Sequence, residues 1–413
     1  MTTPDLYPVS LRLLGRPVLL VGGGRVAGRR ARALLDAGAV VTVVAPRAGD
    51  DVAGLAGSGL LTWVPRPYRG TDLDEAWFVQ TATGIDAVDE AVAADADARR
   101  IWCVNASDAE ASAAWTPAVA RAGDVTVAVN AGGDPRRASA LRDAIRLALD
   151  TGQLPLRRRR RTLETGGRVA LVGGGPGESG LITVRGRQLL ATADVVVADR
   201  LGPRELLEDL DAEVRVIEVG KSPGNHPVGQ DEINSILVRE ARSGQLVVRL
   251  KGGDPYVLGR GGEEARYCRD HGIDVEVVPG VTSAISVPAA AGIPVTHRGT
   301  ATGFTVVTGH ADLAELSVRR DHTLVLLMGV RRLAQTATQL CSQGLGPQTP
   351  VAVVERGWMP DQSVTIGTLQ TIAAQAEVTG VRNPAVIVVG DVVRLSPYAP
   401  NVLNEIPKEH IHD

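Results

Sequence analysis

The sixteen residues from Arg249 to Glu264, RLKGGDPYVLGRGGEE, set one carboxylate, Asp254, between two glycine groups. Gly252 and Gly253 precede it, and Gly259, Gly261 and Gly262 follow it. Glycine accepts positive φ and lets a ligand come close to the backbone. Pro255 biases Asp254 away from helix. The apolar run Leu246-Val247-Val248 ends just before this stretch, and Glu263-Glu264 opens a helix-like run at its end. Strand, glycine break, acid, glycine break, helix is the layout of a ligand loop at the carboxyl end of a sheet strand. An ordinary turn is the plainer reading, yet turns rarely need five glycines around one aspartate.

A second glycine group lies near the start. Pro17–Val21 (PVLLV) reads as a strand, Gly22 to Gly28 (GGGRVAG) follows, and Val40–Val44 (VVTVV) reads as the next strand after a helix. Gly22-x-Gly24-x-x-Ala27 inside such a unit matches the dinucleotide fingerprint. Its glycines bring backbone N–H groups to a pyrophosphate at the helix N-terminus. The second strand should end in an acid for the ribose hydroxyls, but Ala45-Pro46-Arg47 stands there. NAD and NADP therefore both stay open, since Arg47 suits a 2′-phosphate. His297 and His310 have no neighbouring ligand cluster, and zinc sites show tighter spacing. They read as structural, and no metal ligand is predicted.

The elements that must carry these residues alternate along the chain. Further strands are predicted at Trp77–Ala82, Ile101–Val104 and, continuing the same sheet, Val125–Asn130. A helix is predicted over Arg137–Leu149. After the proline-interrupted basic run Arg157–Arg161, which reads as a solvated linker, strands are predicted at Val169–Val172, Val195–Ala198, Val214–Val219, Val247–Leu250 and Val275–Val278. A last block holds Thr305–Thr308, Thr323–Met328, Val351–Glu355 and Ala385–Val389. Periodicity alone gives an α/β protein.

Composition narrows the classes. The chain has 413 residues, 44% apolar and 22% charged, with a net charge of −3 and 3% aromatics. A nucleic-acid surface needs a basic face and often stacking rings, so none is expected. No apolar run reaches the ~18 residues of a membrane span, and the first residues lack a basic region with an apolar core. A cytoplasmic protein without membrane contact is expected. Cys103, Cys268 and Cys341 signal neither a disulfide framework nor a C-x-x-C site.

The stretch Arg249–Glu264 also resembles the signature of the uroporphyrinogen-III C-methyltransferases, within the tetrapyrrole methyltransferase family. The resemblance runs from about Arg168 to about Leu395 and includes VALVGGGPGESGLIT, VVVADRL, VGK, VPGVTSA, GIPVTHR and VTGH. The N-terminal part is similar to the NAD-dependent precorrin-2 dehydrogenase and ferrochelatase module, and the fused order is that of the siroheme synthases. The resemblance implies an N-terminal Rossmann-like NAD-binding domain (1–116), a shortened helical dimerisation segment (117–152), an Arg-rich linker (153–167), a two-lobed methyltransferase domain (168–400) and a tail (401–413).

It further implies that Pro176, Gly252, Gly253, Asp254, Val257, Thr282, Ser283, Met328 and Gly357 line an S-adenosylmethionine site. For Val257 and Met328, plain core packing is the competing reading. Arg25, Val26, Pro46 and Arg47 occupy NAD-contact positions beside Gly22 and Gly24. Asp199 matches the proton acceptor of methyl transfer and Lys221 its proton donor; a helix N-cap and a surface lysine are the plainer readings. Arg200, Arg260 and Arg298 are candidates for the carboxylates of a reduced tetrapyrrole substrate.

The chain departs from the family where an aspartate is thought to serve dehydrogenation and chelation. Counting from Cys103, that position holds Ser107, with Asp108 next, and Ala131 stands where a serine is common. Asp108 is the candidate for that role. The expected activity is double methylation of uroporphyrinogen III to precorrin-2, then NAD-dependent oxidation to sirohydrochlorin, with ferrous iron a further candidate substrate and a homodimer expected. A methyltransferase whose N-terminal domain only binds nucleotide or dimerises is the alternative. A sensor without catalysis would leave Asp199 and the Asp254 loop without a task.

Overall fold

Pro17–Val21 is apolar throughout because it becomes β1, the middle strand of a parallel sheet covered on both faces. In the computed structural model, which describes residues 6–154, 166–199, 205–220, 228–310, 313, 316 and 319–400, the chain divides into two units, Met1–Arg146 and Leu147–Asp413. The first unit continues with α1 (Arg25–Asp36), β2 (Val40–Val44), α2 (Asp50–Gly57), β3 (Thr62–Val64), β4 (Phe78–Thr81), α3 (Asp86–Ala98) and β5 (Trp102–Asn105). The strand order is β3-β2-β1-β4-β5, and every pairing is parallel. The order reverses between β1 and β4, so the loops at their carboxyl ends form the crevice where such sheets bind ligands.

One expectation fails here. Val125–Asn130 does not continue that sheet. β6 (Ala118–Ala122) and β7 (Val125–Val129) form an antiparallel pair of their own. Only Gly123 (φ +59°) and Asp124 separate them. Two residues suffice for a hairpin, whereas a parallel crossover needs a dozen or more. The helix α4 (Pro135–Asp150) follows.

The second unit opens with β8 (Arg168–Gly173), α5 (Val184–Thr192), β9 (Val195–Ala198), α6 (Glu205–Glu208), β10 (Arg215–Glu218), α7 (Gln230–Arg242), β11 (Leu246–Lys251), α8 (Gly261–Asp270), β12 (Asp274–Val278) and α9 (Ser283–Ala290). Its first sheet, ordered β10-β9-β11-β8-β12, is wholly parallel. Alternate strand residues feed two cores. Val169, Leu171, Val195, Val197 and Val247 pack with α7, while Ala170, Val172, Val196, Val248 and Leu250 pack with α5.

A second sheet is built from β13 (Gly303–Thr308), β14 (His322–Leu327), β15 (Pro350–Glu355), β16 (Ser363–Thr368) and β17 (Ala385–Val389), with α10 (Leu333–Ser342) and α11 (Ile372–Thr379) between strands. Its order is β13-β14-β17-β15-β16, with only β13 and β14 parallel. The fold is thus α/β, with a parallel-sheet N-terminal unit and a two-lobed C-terminal unit. The Arg157–Arg161 run and the residues after 400 lie outside the described residues.

Candidate active sites

In the second unit, the loops after β8, β11 and β12 meet backbone against backbone. Gly175 and Gly253 form an antiparallel bridge, with Gly253 N–H donating to Gly175 O at 2.7 Å and the reverse bond at 3.2 Å. A Cβ on Gly173 would lie 2.5 Å from Gly280, and one on Gly280 would lie 2.2 Å from Gly253 O. No side chain fits there, which explains why the sequence is glycine-rich at each strand end. Asp254 locks the junction: its Oδ2 accepts from Gly280 N at 3.0 Å and its Oδ1 from Tyr256 N at 2.8 Å. Thr282 caps α9 with its hydroxyl, and Ser283 lies against Gly253.

α9 then carries this junction to the second sheet. The Trp358 indole N–H donates to Ser286 O at 2.6 Å, and Gln362 donates to Ala290 O. Gly357 is pressed on Val287, and Gly177 on Met359. Leu258, Arg260, Met328, Arg356 and Trp358 all have φ between +46° and +67°. Positive φ in non-glycine residues costs of order 1–3 kcal/mol each and gathers at ligand sites. A cradle of bare backbone with strained loops on both lobes fits a ligand such as S-adenosylmethionine, which offers its own polar groups.

Beside this junction lies a buried charge cluster. Asp199, just past β9, accepts from Arg249 Nη2 at 2.6 Å through Oδ1. Arg249 Nε donates to Glu264 Oε1 at 3.1 Å, and Lys251 Nζ donates to the same oxygen at 3.0 Å. Gln230 adds a third donor at 3.2 Å. Lys251 Nζ is 3.9 Å from Asp199 Oδ2. Side-chain exposures are 2% for Arg249, 5% for Lys251 and 0% for Glu264, against 30% for Asp199. Burial first, then the neighbouring Arg249 charge, push the Lys251 ammonium below the ordinary lysine value, while Glu264 and Asp199 push it back up. The arrangement presents one carboxylate to solvent on a rigid, charge-balanced base.

In the first unit, the glycine turn after β1 is clasped from both sides. Gly22 (φ +120°) would place a Cβ 2.3 Å from Ala82 O, and Gly23 would place one 2.0 Å from Arg47 O. Gly24, by contrast, faces open space at the start of α1. Val26 is 43% exposed on the first turn of that helix, and Pro46 and Arg47 are exposed at the end of β2. Open space over a helix N-terminus, rimmed by these residues, fits a dinucleotide pyrophosphate. At the end of β5, the Ser107 hydroxyl donates to Asp89 Oδ2 at 2.5 Å, and Asp89 is 1% exposed. Asn105 Oδ1 accepts from the Ser107 and Asp108 amides. Asp108 Oδ1 accepts from the Glu110 and Ala111 amides.

Comparison with known proteins agrees with this division. Residues 168–373 match the family Tetrapyrrole (Corrin/Porphyrin) Methylases, and residues 9–118 match Putative NAD(P)-binding. Siroheme synthase 3 of Aeromonas hydrophila is 38% identical over 450 residues, covering 95% of this chain and 96% of its own. The chain belongs to the siroheme synthase family. Another member, the siroheme synthase of Gluconacetobacter diazotrophicus, is 37% identical and covers 98% of this chain and 99% of its own. The S-adenosyl-L-methionine-dependent uroporphyrinogen III methyltransferase of Methanosarcina barkeri is 50% identical over 237 residues, covering 55% of this chain and 93% of its own.

Within this siroheme synthase family chain, the structure joins Gly252, Gly253, Asp254, Thr282 and Ser283 directly, with Pro176 in the adjoining loop. Gly357 reaches them through α9. Met328 sits beyond β14 against Gly309 and is 46% exposed, which does not suit core packing. Val257 is half-buried. Asp199 caps no helix among the described residues, since α6 begins at Glu205. Lys221 and Arg200 lie outside the described residues. Arg260 pairs with Glu263 at 2.6 Å, and His297 meets the Thr300 hydroxyl at 3.4 Å. The sequence reading passed over Arg249, Lys251 and Glu264. The signal was present: two cations two residues apart interrupt an apolar strand, and alternate residues share a face.

Proposed function

We propose that the second unit transfers two methyl groups from S-adenosylmethionine to uroporphyrinogen III, and that the first unit oxidises the product, precorrin-2, to sirohydrochlorin with NAD. The observation that carries this is the backbone-on-backbone junction of Gly173, Gly253 and Gly280 next to the exposed edge of the Asp199 cluster. When bound, S-adenosylmethionine supplies an electrophilic methyl group. The chain's task is to hold the pyrrole carbon in line with it, which provides much of such a rate. As the carbon–methyl bond forms, the macrocycle must lose a proton, and Asp199 is the acceptor. Lys221 is assigned the partner donor role. Arg260 and Arg298 are candidates for the substrate carboxylates.

In the first unit, Gly22, Gly24, Arg25, Val26, Pro46 and Arg47 are assigned to NAD, whose nicotinamide accepts the hydride when bound. Asp108 assists the accompanying proton loss. Its carboxylate is already bonded to two backbone amides, which supports oxidation with weak or absent iron insertion. The segment 117–152 is read as a reduced homodimer contact, supported by exposed Val119, Leu141 and Leu147. Among the described residues no helix is long and apolar enough to cross a membrane, and the cytoplasm is the proposed location.

Incubation with uroporphyrinogen III and S-adenosylmethionine, with and without NAD and ferrous iron, tests the assignment by absorption spectra. Methylation followed by NAD-dependent formation of sirohydrochlorin is expected. Methylation with no effect of NAD would leave the first unit as a binding module.

A further inference from the structure

β11 is the middle strand of its sheet and is buried along its whole length. Strands so placed are built from apolar residues, and Leu246, Val247, Val248 and Leu250 conform. Arg249 and Lys251 do not. Replacing buried ion pairs by apolar residues of like volume is often neutral or stabilising. Stability therefore gives no reason for charges here, whereas the partner they share leads to Asp199.

Glu264, from α8, is the counter-charge to both cations. Its Oε1 takes three donors, from Arg249, Lys251 and Gln230, and among the described residues its buried Oε2 takes none. Arg249 is fixed along its length. Nε is on Glu264, Nη1 donates to the Val197 and Leu250 carbonyls, and Nη2 is on Asp199. Among the described residues, the two cations and two carboxylates of this cluster sum to zero. Among the described residues, the charges facing Asp199 are Arg249 and Lys251 of β11. Those facing Glu264 are the same two, with Arg260 at the start of α8 and the Cys268 thiol further along it.

We propose that Glu264 is a positioning residue for methyl transfer, acting through Arg249 and Lys251 to fix the Asp199 carboxylate and keep the site beneath it electrically neutral. This rests on the assignment of Asp199 as proton acceptor. Without the Glu264 charge, the positive charge of Arg249 and Lys251 falls on Asp199 unshared among the described residues, and Asp199 becomes a poorer acceptor.

The test is Glu264→Gln, which keeps shape and removes the charge. Turnover in methylation of uroporphyrinogen III is expected to fall on the order of tenfold or more. KM and calorimetric affinity for S-adenosylmethionine should stay within about twofold. The acid limb of the pH–turnover profile should move to lower pH, a change that loosened packing would not produce. Glu264→Gln combined with Lys251→Met restores neutrality, with Arg249 opposite Asp199 alone. This pair should recover most of the lost turnover and return the acid limb toward the parent position. Parent turnover and profile in Glu264→Gln would overturn the proposal. So would a double variant that is no better than the single one, or that fails to fold as the single one does. A parent protein without methyl transfer would instead remove the functional assignment itself.

Discussion

Arg249 reaches from a fully buried strand to donate to Asp199 Oδ1 at 2.6 Å, in the loop after the neighbouring strand. The contact ties a carboxylate at the cleft to the sheet interior. It makes Asp199 a group of fixed geometry rather than a loop side chain. Asp199→Asn keeps nearly the same shape but is a far weaker base. Cofactor affinity should be unchanged and methyl transfer should fall on the order of a hundredfold or more. Full turnover in that variant would take Asp199 out of the mechanism.

Gly253 has φ +68°, and a Cβ there would meet Ser283 only at 3.4 Å. Space is adequate for a methyl group, so the backbone conformation is what excludes larger residues. A β-branched side chain at that φ is strained by about 1–3 kcal/mol and puts bulk into the cradle. Gly253→Val is therefore expected to abolish S-adenosylmethionine binding in a calorimetric titration while the far-UV spectrum stays native. Normal affinity would remove this loop from the cofactor site.

Asp108 and Ser107 separate two roles at the end of β5. Ser107 is tied to buried Asp89, and Asp108 to its own loop. Asp108→Ala should lower NAD-dependent formation of sirohydrochlorin, and Ser107→Ala should lower it less, with iron insertion weak in the parent. Oxidation unaffected by Asp108→Ala would reject this residue while keeping the activity.

Arg185 of α5 grips Glu276 of β12 through two bonds of 2.7 and 2.8 Å. Those hydrogen bonds hold the Glu276 carboxyl below its ordinary value. A depressed carboxyl contributes stability above its unfolded-state value and loses it as pH falls through the folded one. The side chains are 50% and 29% exposed, so screening keeps the pair to about 0.5 kcal/mol. Arg185→Ala should lose that much in urea melts at neutral pH, with the gap closing below about pH 4. A gap that does not narrow with acid would assign the effect to lost packing.

Most of the buried strands were legible because each is a short, almost wholly apolar run. Pro17–Val21, Val40–Val44, Val195–Ala198 and Ala385–Val389 match the structure end to end. Ser363–Thr368 went unread because it is half polar and sits at a sheet edge, where alternation is the only cue. The hairpin of β6 and β7 went unread because its first strand, Ala118–Ala122, has little β-branched content. Glycine spacing marked the loops where backbone meets backbone, since such contact leaves a compositional mark. The two cations of β11 leave a mark in the sequence, but that Glu264 of α8 is their shared partner is a tertiary relation that local pattern does not carry.

The most direct test of the central claim is the mass of uroporphyrinogen III after incubation with the full chain and S-adenosylmethionine, with Asp199→Asn alongside. A gain of two methyl groups is expected with the parent protein, and on the order of a hundredfold slower gain with the variant, both binding the cofactor equally. A parent that binds S-adenosylmethionine yet leaves the tetrapyrrole mass unchanged would contradict it.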